Sequence, residues 1–496
     1  MPFFEPMNML FSRAFWGGAA ACGCMALGLV ACDDAQSFTT SRGAVLAFST
    51  DTVRFDTVIS TVGSSTRQLM VYNRNGDGLR IASVRLERGS GTPFRVNVDG
   101  SYLEPESGAR AYDFEVRGGD SIRVFAEVTM PENGQDEPVA TDDELVFTLQ
   151  SGVEQRVVLT AVGQDAYMWR GRVIAADTLL QAGRPIVVYD SLSVARGATL
   201  SMGPGVELYF HDGANLWVHG RVVAEGTMEQ PVVFRGDRTD RMFDYLPYDN
   251  TPSRWGGIRL KASSQDNRFS YVDIHSASYG IACDSAATDA TKLTLENSIL
   301  HNIGGEGLGL YHCRAIVANT QISNTLGHCV AVVGGWAEFV HCTLAQFYPW
   351  DASRGDALYL ANQWLAMDYP LEHARFLNCL VTGYADDVVM GNLKDEADTL
   401  DYRFDGCVLR TVVSEDTVRF RNIVYEDPED ENAGWKQFVR FDTDNFLYDF
   451  RLDSLSVARG KAVMEWAEGE PLDRYGVSRT DDGAPDAGCY EFVPGE

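Results

Sequence analysis

Val317-Ala-Asn-Thr-Gln-Ile322 and Phe339-Val-His-Cys-Thr-Leu344 share one register, and four further segments repeat it. The four are Phe269-Ser-Tyr-Val-Asp-Ile274, Leu295-Glu-Asn-Ser-Ile-Leu300, Phe376-Leu-Asn-Cys-Leu-Val381 and Phe404-Asp-Gly-Cys-Val-Leu409. An apolar residue opens each segment, and in five of the six a turn-type residue comes third and a small Ser, Thr or Cys comes fourth. The segments begin at 269, 295, 317, 339, 376 and 404. Repeats at such a period are typical of a solenoid, and short strands punctuated by Gly and Asn favour β over α structure.

The first 31 residues are predicted to be an export signal rather than part of the fold. Arg13 precedes an apolar run from Phe15 to Val30, which is shorter than the roughly 20 residues that span a membrane. A charged start followed by a short apolar core is typical of a signal peptide. The run ends in Leu29-Val-Ala-Cys32, which resembles a bacterial lipobox. This resemblance implies cleavage before Cys32 and lipidation of its thiol.

The acidic pair Asp33-Asp34 resembles the surface-export signal of Bacteroidetes lipoproteins. We therefore expect a lipid anchor in the outer membrane and no other membrane contact. Whether the protein faces the cell surface or the periplasm is left open. The alternative is an ordinary secretory signal that contains a chance cysteine.

The cysteines and the net charge limit the cofactors and partners that this protein is expected to bind. Seven cysteines follow the signal and lipobox, and their odd number argues against a complete disulfide framework. No C-x-x-C pair occurs, so a cysteine zinc site has no support. Cys342, Cys379 and Cys407 share one repeat position and are interpreted as an inward-facing stack of small apolar thiols. The formal net charge of −29, with no basic patch, argues against a nucleic-acid partner.

The region 43–165, which follows a polar tether at 32–42, is predicted to be a β-sandwich. Its short alternating strands are separated by turn signals such as Asn73-Arg-Asn-Gly-Asp-Gly78. Val71-Tyr-Asn73, Pro93-Phe94 and the closing Val157-Val-Leu-Thr-Ala-Val-Gly163 resemble the immunoglobulin-like modules named after abnormal-spindle and hydin proteins. This resemblance implies a non-catalytic spacer or binding unit.

The region 170–410 carries the second resemblance. Leu200-Ser-Met-Gly203, Leu216-Trp-Val-His-Gly220, Trp255-Gly-Gly-Ile258 and the repeats that follow are similar to right-handed parallel β-helix proteins found as Bacteroidetes lipoproteins. Pro485-Asp-Ala-Gly-Cys-Tyr-Glu491 resembles the closing motif of such chains. The predicted fold class is therefore all-β, with an N-terminal β-sandwich followed by a right-handed parallel β-helix. The irregular segment 411–496 is expected to close the solenoid, because an open end exposes unpaired strand edges.

The long step from Phe339 to Phe376 predicts a loop over 347–370. Its aromatic content is about twice the 11% of the whole chain. Aromatic faces beside carboxylates suit sugar rings, and loops on rigid scaffolds often carry function. The predicted glycan-binding residues are Trp350, Trp364, Tyr348, Asp351 and Asp356. The alternative is that these aromatics cover an edge of the solenoid.

A second aromatic loop, 237–254, holds Phe243, Tyr245 and Tyr248. It lies several coils before the loop 347–370. The two loops would form the walls of one groove if both left the solenoid on the same side.

Catalytic signals are weak. Polysaccharide hydrolysis usually needs two carboxylates, and Asp386-Asp387 is the candidate pair, with an exposed turn as the other interpretation. The Asn-Thr-Asp and Gly-His-Gly patterns of the polygalacturonase-like family are absent, as is an arginine arrangement like that of pectate lyases. No His-x-x-x-His occurs, so each histidine is interpreted as structural, and neither a metal nor a cofactor is predicted.

The leading functional prediction is a cell-envelope lipoprotein that binds a polysaccharide or other glycan, or mediates adhesion, without catalysis. The alternatives are a β-helix polysaccharide lyase or glycoside hydrolase, and a structural component of the envelope. The oligomeric state is left open.

Overall fold

A computed structural model describes residues 37–243, 245–364, 367–394, 400–430 and 433–494. The predicted signal peptide and Cys32 lie outside these ranges. The described chain is half strand and almost free of helix, so the all-β prediction is confirmed. No helix in these ranges is long and apolar enough to cross a membrane.

The N-terminal unit contains two five-stranded sheets. Its strands are β1 (Ala47–Phe48), β2 (Thr52–Ile59), β3 (Arg67–Tyr72), β4 (Leu79–Leu86), β5 (Phe94–Val98), β6 (Ser101–Tyr102), β7 (Arg110–Val116), β8 (Ser121–Val128), β9 (Val139–Leu149) and β10 (Glu154–Gln164). The sheet orders are β1-β3-β8-β5-β6 and β2-β10-β9-β4-β7, and only the pair β2–β10 is parallel. Alternate residues of both sheets are buried in one apolar cluster, which includes Val71 of the first sheet and Leu159 of the second.

The rest of the chain is dominated by one parallel sheet of 26 strands. The strands of this region are β11 (Tyr167–Ile174), β12 (Thr178–Leu180), β13 (Ile186–Val194), β14 (Thr199–Met202), β15 (Glu207–Phe210), β16 (Asn215–Val218), β17 (Arg221–Glu225), β18 (Val232–Gly236), β19 (Arg241–Phe243), β20 (Leu246–Pro247), β21 (Gly257–Leu260), β22 (Asn267–Ser270), β23 (Val272–His275), β24 (Ile281–Cys283), β25 (Leu293–Glu296), β26 (Ile299–Ile303), β27 (Leu308–Ala318), β28 (Gln321–Thr325), β29 (Val330–Val340), β30 (Thr343–Gln346), β31 (Leu358–Ala361), β32 (Gln363–Trp364), β33 (Met367–Asp368), β34 (Leu371–Leu377), β35 (Leu380–Gly383), β36 (Val389–Asn392), β37 (Leu400–Asp405), β38 (Val408–Leu409), β39 (Phe420–Arg421) and β40 (Val424–Tyr425). The pairs β19–β20 and β32–β33 are small antiparallel hairpins outside the large sheet.

Strands of the large sheet pair across successive coils and form three parallel ladders. Ladder A runs from the first half of β11 through the first half of β13, β15, β18, β23, β26, β28, β30, β35 and β38 to β40. Ladder B runs from the second half of β11 through the second half of β13, β16, β21, β24, β27, β29 and β31 to β36. Ladder C runs from β12 through β14, β17, β22, β25, β27, β29, β34 and β37 to β39. Each coil visits C, then A, then B, which is compatible with a β-helix.

The third position of the repeat is the turn from ladder C into ladder A. Its residue has a left-handed backbone in every repeat, with φ of 49° at Tyr271, 50° at Asn297, 47° at Asn319, 48° at His341, 54° at Asn378 and 67° at Gly406. Asn and Gly tolerate this region better than other residues do, so the sequence pattern follows from the turn. The fourth residue then points inward, and Ser298, Thr320, Cys342, Cys379 and Cys407 are fully buried.

The solenoid interior consists of like residues stacked along its axis. Phe339, Phe376, Phe404 and Phe420 of ladder C stack with ring centroids 4.9, 4.8 and 5.2 Å apart. Such offset stacks contribute beyond the area they bury. Cys342, Cys379 and Cys407 lie in the same apolar cluster, and all seven cysteines of the described ranges are free and buried.

The C-terminal segment 433–494 packs on the outer face of ladder A rather than across the end of the coils. It contains a 3₁₀ turn at Gly434–Gln437, strands β41 (Phe438–Asp442) and β42 (Leu447–Leu452), and helix α1 (Met464–Gly469). Phe438, Phe450 and Leu452 form a cluster with Leu380 and Val408 of ladder A. The expected irregular end of the solenoid is partly regular, since the ladders continue to β40.

Asn378 attaches this segment to the solenoid. Its Oδ1 accepts from the Val463 amide at 2.8 Å, and its Nδ2 donates to the Val463 carbonyl at 2.9 Å. The Gly488 amide donates to the Asn378 carbonyl at 2.8 Å. One residue therefore makes the turn between two ladders and pairs with the chain that covers it.

Replacing Asn378 by glycine should loosen the C-terminal segment without disturbing the coils. Glycine keeps the left-handed turn but removes the two side-chain hydrogen bonds to Val463, worth about 1–3 kcal/mol together, and a third between Asn378 Nδ2 and His341 Nε2 of the preceding coil. Hydrogen exchange of residues 460–490 should quicken. Asn297→Gly is the matched control, because Asn297 has nearly the same φ and no bond to this segment within the described chain. Equal exchange in both variants would contradict the anchoring role.

Cys379→Asp should destabilise the solenoid by several kcal/mol, because it buries a charge or forces an aspartate to stay protonated. Cys379→Ala, which removes only the thiol, is the control and should cost much less. Urea unfolding of the two variants measures the difference.

In native wild type, a bulky maleimide should leave Cys342, Cys379 and Cys407 unlabelled in peptide mass spectra. Rapid labelling of the three would show that they do not face the interior.

Candidate binding cleft

The outer face of ladder A changes from polar to apolar along the solenoid axis. Residues at i and i+2 of a strand share a face, so Asp273 and His275 of β23 both point outward while Ile274 enters the core. On the following coils, His301 and then Ser323 lie in register with His275. Farther along, the outward residues Ala345, Leu380 and Val408 are apolar and pack under the C-terminal segment. The C-terminal segment does not cover the polar part of the face, which lies beside it.

A cavity of about 550 Å³ opens over this polar part, between the β41–β42 hairpin and the 3₁₀ turn Tyr248–Asn250. We call it the ladder-A cleft. Its lining includes Asn250, His301, Asn302, Gln321, Ser323, Asn324, Phe446, Tyr448, Asp449, Arg451, Tyr475 and Tyr490. Asn250 Nδ2 donates to the Phe446 carbonyl at 3.2 Å and joins the two walls. The cleft has the volume of a site for a small ligand and is rich in hydrogen-bonding side chains.

Four aromatic rings form a row beside the cleft. Phe243 and Tyr245 stack at 5.7 Å, Tyr245 and Phe446 at 6.4 Å, and Phe446 and Trp350 at 4.3 Å, with planes within 17° at each step. Phe243, Tyr245 and Trp350 are 52%, 49% and 38% exposed. We call these four residues the aromatic row. It joins the loops 237–254 and 347–370 through the hairpin, so both loops do reach the same side of the solenoid.

A charged cluster lies at the Asn250 end of the cleft. His275 Nδ1 is 2.8 Å from Asp273 Oδ1, and its Nε2 is 2.9 Å from Asp249 Oδ1. His301 Nε2 is 3.3 Å from Asp273 Oδ1, and Arg235 lies 3.0 Å from Asp249. Burial alone would lower the pKa of His275, but the carboxylates of Asp249 and Asp273 raise it to about 10. His275 therefore bridges two carboxylates as an imidazolium when no other cation is bound.

Asp273, His275 and His301 are also the residues best placed to hold a metal ion. One ligand atom from each lies within 4.8 Å of the other two. Short motifs do not reveal these ligands, because no His-x-x-x-His occurs, and the prediction that both histidines are structural rests on that absence. A signal was present in the repeat itself: His275 and His301 each follow directly after a six-residue segment, 269–274 and 295–300. Equivalent positions on adjacent coils become neighbours in a ladder.

The five predicted glycan-binding residues do not form one surface. Trp350 joins the aromatic row, whereas Trp364 packs edge-on against Tyr311 of ladder B at 6.1 Å. Tyr348 is only 4% exposed.

The two predicted carboxylates of this loop have local partners. Asp351 accepts from the amide and hydroxyl of Ser353, both at 2.8 Å. Asp356 lies 3.3 Å from His328. Of the five predicted residues, Trp350 is the one that belongs to the aromatic row, as the row is defined from the described residues. Their role in binding stays a prediction.

The predicted catalytic pair lies in the turn between β35 and β36. The Asp386 carboxylate is 81% exposed and 3.3 Å from Arg410. Asp387 accepts from Thr411 Oγ1 at 2.7 Å and from the Val389 amide at 3.2 Å. Neither residue lines the ladder-A cleft. These contacts favour the interpretation of the pair as an exposed turn.

Comparison with known proteins identifies no family. No family model matches the chain, and no curated protein matches it significantly. Among solved structures, the Vibrio cholerae VesB protease matches at 15% identity over 24% of this chain and 31% of its own, with a TM-score of 0.16. A family 123 glycoside hydrolase from Clostridium perfringens matches at 8% identity over 25% of this chain and 26% of its own, with a TM-score of 0.17. The ASH/PapD-like domain 7 of human CEP192 matches at 11% identity over 26% of this chain and 89% of its own, also with a TM-score of 0.17. This chain therefore spans about a third or less of the first two, and no function is drawn from any of the three.

Proposed function

We propose that this protein is a lipid-anchored envelope protein that binds glycans without catalysis, through the aromatic row and the ladder-A cleft. The observation that carries the proposal is the row of exposed, nearly parallel rings beside a polar cleft. Sugar rings stack their CH faces on aromatic rings, while their hydroxyls need hydrogen-bonding partners at the edge. Both requirements are met side by side.

We further propose that the chain is an N-terminal immunoglobulin-like β-sandwich followed by a right-handed parallel β-helix. The shared apolar core of the two N-terminal sheets supports the first part. The three parallel ladders, entered in the same order by each coil, support the second part. A rigid solenoid suits glycan binding, because it holds side chains from distant parts of the sequence at fixed positions along an extended surface.

Different residues supply the stacking surfaces and the hydrogen-bonding groups of the proposed site. The outer faces of Tyr245 and Trp350 are the stacking surfaces, since about half of the Tyr245 side chain and over a third of the Trp350 side chain are exposed. Asn250 and Asn302 line the cleft and offer amide donors and acceptors. Asp449 and Arg451 form a bidentate pair on the opposite wall, with Arg451 Nη2 2.7 Å from Asp449 Oδ2. Such planar polar pairs complement vicinal hydroxyls.

Non-catalytic binding is preferred over hydrolysis because Asp386 and Asp387, the candidate pair, are bonded at a turn away from the cleft. A reducing-sugar assay and an ultraviolet assay for unsaturated lyase products on the same glycans distinguish the alternatives. Turnover of a bound glycan would favour the enzyme.

Removing two rings of the aromatic row should weaken glycan binding. We expect Tyr245→Ala with Trp350→Ala to reduce affinity by about tenfold or more, because each lost stacking contact is worth on the order of 1 kcal/mol. A glycan array on wild type selects the ligand, and calorimetric titration compares the variants, with circular dichroism as the check on folding.

Trp364→Ala is the matched control, because Trp364 belongs to the same loop and is also 38% exposed, but it packs on ladder B. Its affinity should equal that of wild type. Unchanged affinity in the folded double variant would exclude the aromatic row. Loss of binding in Trp364→Ala alone would move the site to ladder B.

The proposed anchor is tested separately. Cys32→Ala should release the protein from membranes, because removal of the acylated thiol removes the lipid chains that hold it stably. Detergent phase partitioning and mass spectrometry of the mature N-terminus measure the change. An unchanged membrane-bound fraction in the variant would contradict lipidation at Cys32.

A further inference from the structure

We propose that Asp273, His275 and His301 bind one divalent transition-metal ion, with Zn²⁺ the best fit, at the edge of the ladder-A cleft. We assign the ligand atoms to Asp273 Oδ1, His275 Nδ1 and His301 Nε2, because these atoms face one another. The proposal stands on the geometry of this cluster and does not depend on glycan binding.

The spacing of the three atoms suits a small tetrahedral ion. Asp273 Oδ1 is 2.8 Å from His275 Nδ1 and 3.3 Å from His301 Nε2, and no pair exceeds 4.8 Å. With metal–ligand bonds of about 2.0–2.1 Å, tetrahedral ligand atoms lie about 3.3 Å apart. Two imidazoles and one carboxylate suit Zn²⁺ and its neighbours, whereas Ca²⁺ and Mg²⁺ require more oxygen ligands.

The ladder holds the ligands on rigid backbone. Asp273 and His275 are two residues apart on β23, and His301 is in register with His275 on β26. Adjacent strands of a sheet lie about 4.8 Å apart, and the two imidazole centroids are 4.9 Å apart. Sites built on strands are more precise than sites on loops, so little ordering is needed when the ion binds.

The surroundings of His275 are those of a metal ligand. Its Nε2 lies 2.9 Å from Asp249 Oδ1, and Asp249 is in turn held by Arg235 at 3.0 Å. A carboxylate that accepts the second ring N–H fixes the tautomer and leaves the other nitrogen free for the metal.

A three-residue site leaves one coordination position for an outside ligand. Structural zinc sites are closed by four protein ligands, whereas three ligands and an open position are typical of sites that engage a substrate or water. His301 also lines the ladder-A cleft, so a small molecule in the cleft is near the ion. An oxygen donor such as water, a hydroxyl or a carboxylate is the expected fourth ligand.

Titration of the chelator-treated full chain with Zn²⁺, followed by calorimetry, tests the site. We expect one equivalent to bind, with a dissociation constant in the micromolar range or below. Co²⁺ should give the absorption of a nitrogen- and oxygen-ligated tetrahedral site without a thiolate charge-transfer band. No binding of either ion would overturn the proposal, and so would a thiolate band, because it would assign the metal to cysteine.

Two histidine variants locate the ion. His301→Ala should lower Zn²⁺ affinity at least about a hundredfold, and it should fold because the His301 side chain is 26% exposed and outside the core. His328→Ala is the matched control: the His328 side chain is 25% exposed and lies 3.3 Å from Asp356, but His328 lies in the turn before β29, away from the cluster. Its affinity should match wild type. Equal affinity in both variants would overturn the assignment.

A third variant tests the support of His275. Asp249→Asn keeps an acceptor near Nε2 but removes the charge, so affinity should fall about tenfold, as outer-shell changes typically cause. Unchanged affinity would show that Asp249 does not orient the ligand. Circular dichroism and thermal unfolding of each variant without metal verify that the solenoid remains folded.

Discussion

Parallel hydrogen bonding between successive coils constrains every other feature of this protein. It brings residues 16 to 45 positions apart in the chain into direct lateral contact, as with Phe404 and Phe420 or Val223 and Arg268. A register shift of one residue in any strand would turn its inward-facing side chains outward, so the register must be fixed at each coil. The left-handed residue between ladders C and A does this, because it places the turn at one defined position. The stacked rings and buried thiols of the interior follow from that register.

The same turn positions also organise the outside of the solenoid. Asn378 pairs with Val463, and Asn319 accepts from the fully buried Arg479, which is itself 2.6 Å from Glu491. Tyr490 donates to Gln321 at 2.7 Å. Because burying Arg479 is costly without partners, these bonds specify one seating of the C-terminal segment. That seating covers the apolar part of ladder A and leaves its polar part as the cleft.

The repeat made much of the solenoid predictable. Turn positions such as Asn297 and inward positions such as Cys379 could be located because each is dictated by contacts within a coil or between equivalent residues. The direction in which loops leave a coil is not encoded in this way. Trp350 and Trp364 belong to one aromatic loop, yet contacts with distant partners, Phe446 and Tyr311, separate them. The histidine pair was readable from the repeat but not from short motifs, which detect ligands on one helix or hairpin.

The loop 237–254 connects the N-terminal unit to the cleft, so that unit is more than a spacer. Asp240 accepts from Ser65, Thr239 donates to the Thr57 carbonyl, and Arg241 lies 3.8 Å from Asp56. Farther along, the loop supplies Phe243 and Tyr245 to the aromatic row and Asp249 to the charged cluster.

Arg238 stiffens this connection. It pairs with Asp240 through two nitrogens at 2.7 Å, and it lies 4.0 Å over the Tyr248 ring, next to Asp249. The rings Phe243 and Tyr245 and the Asp249 carboxylate are therefore held by one loop, which is bonded to the N-terminal sheets through Thr239 and Asp240. The stacking surface and the carboxylate that supports the proposed metal ligand share this attachment, although they involve different chemistry.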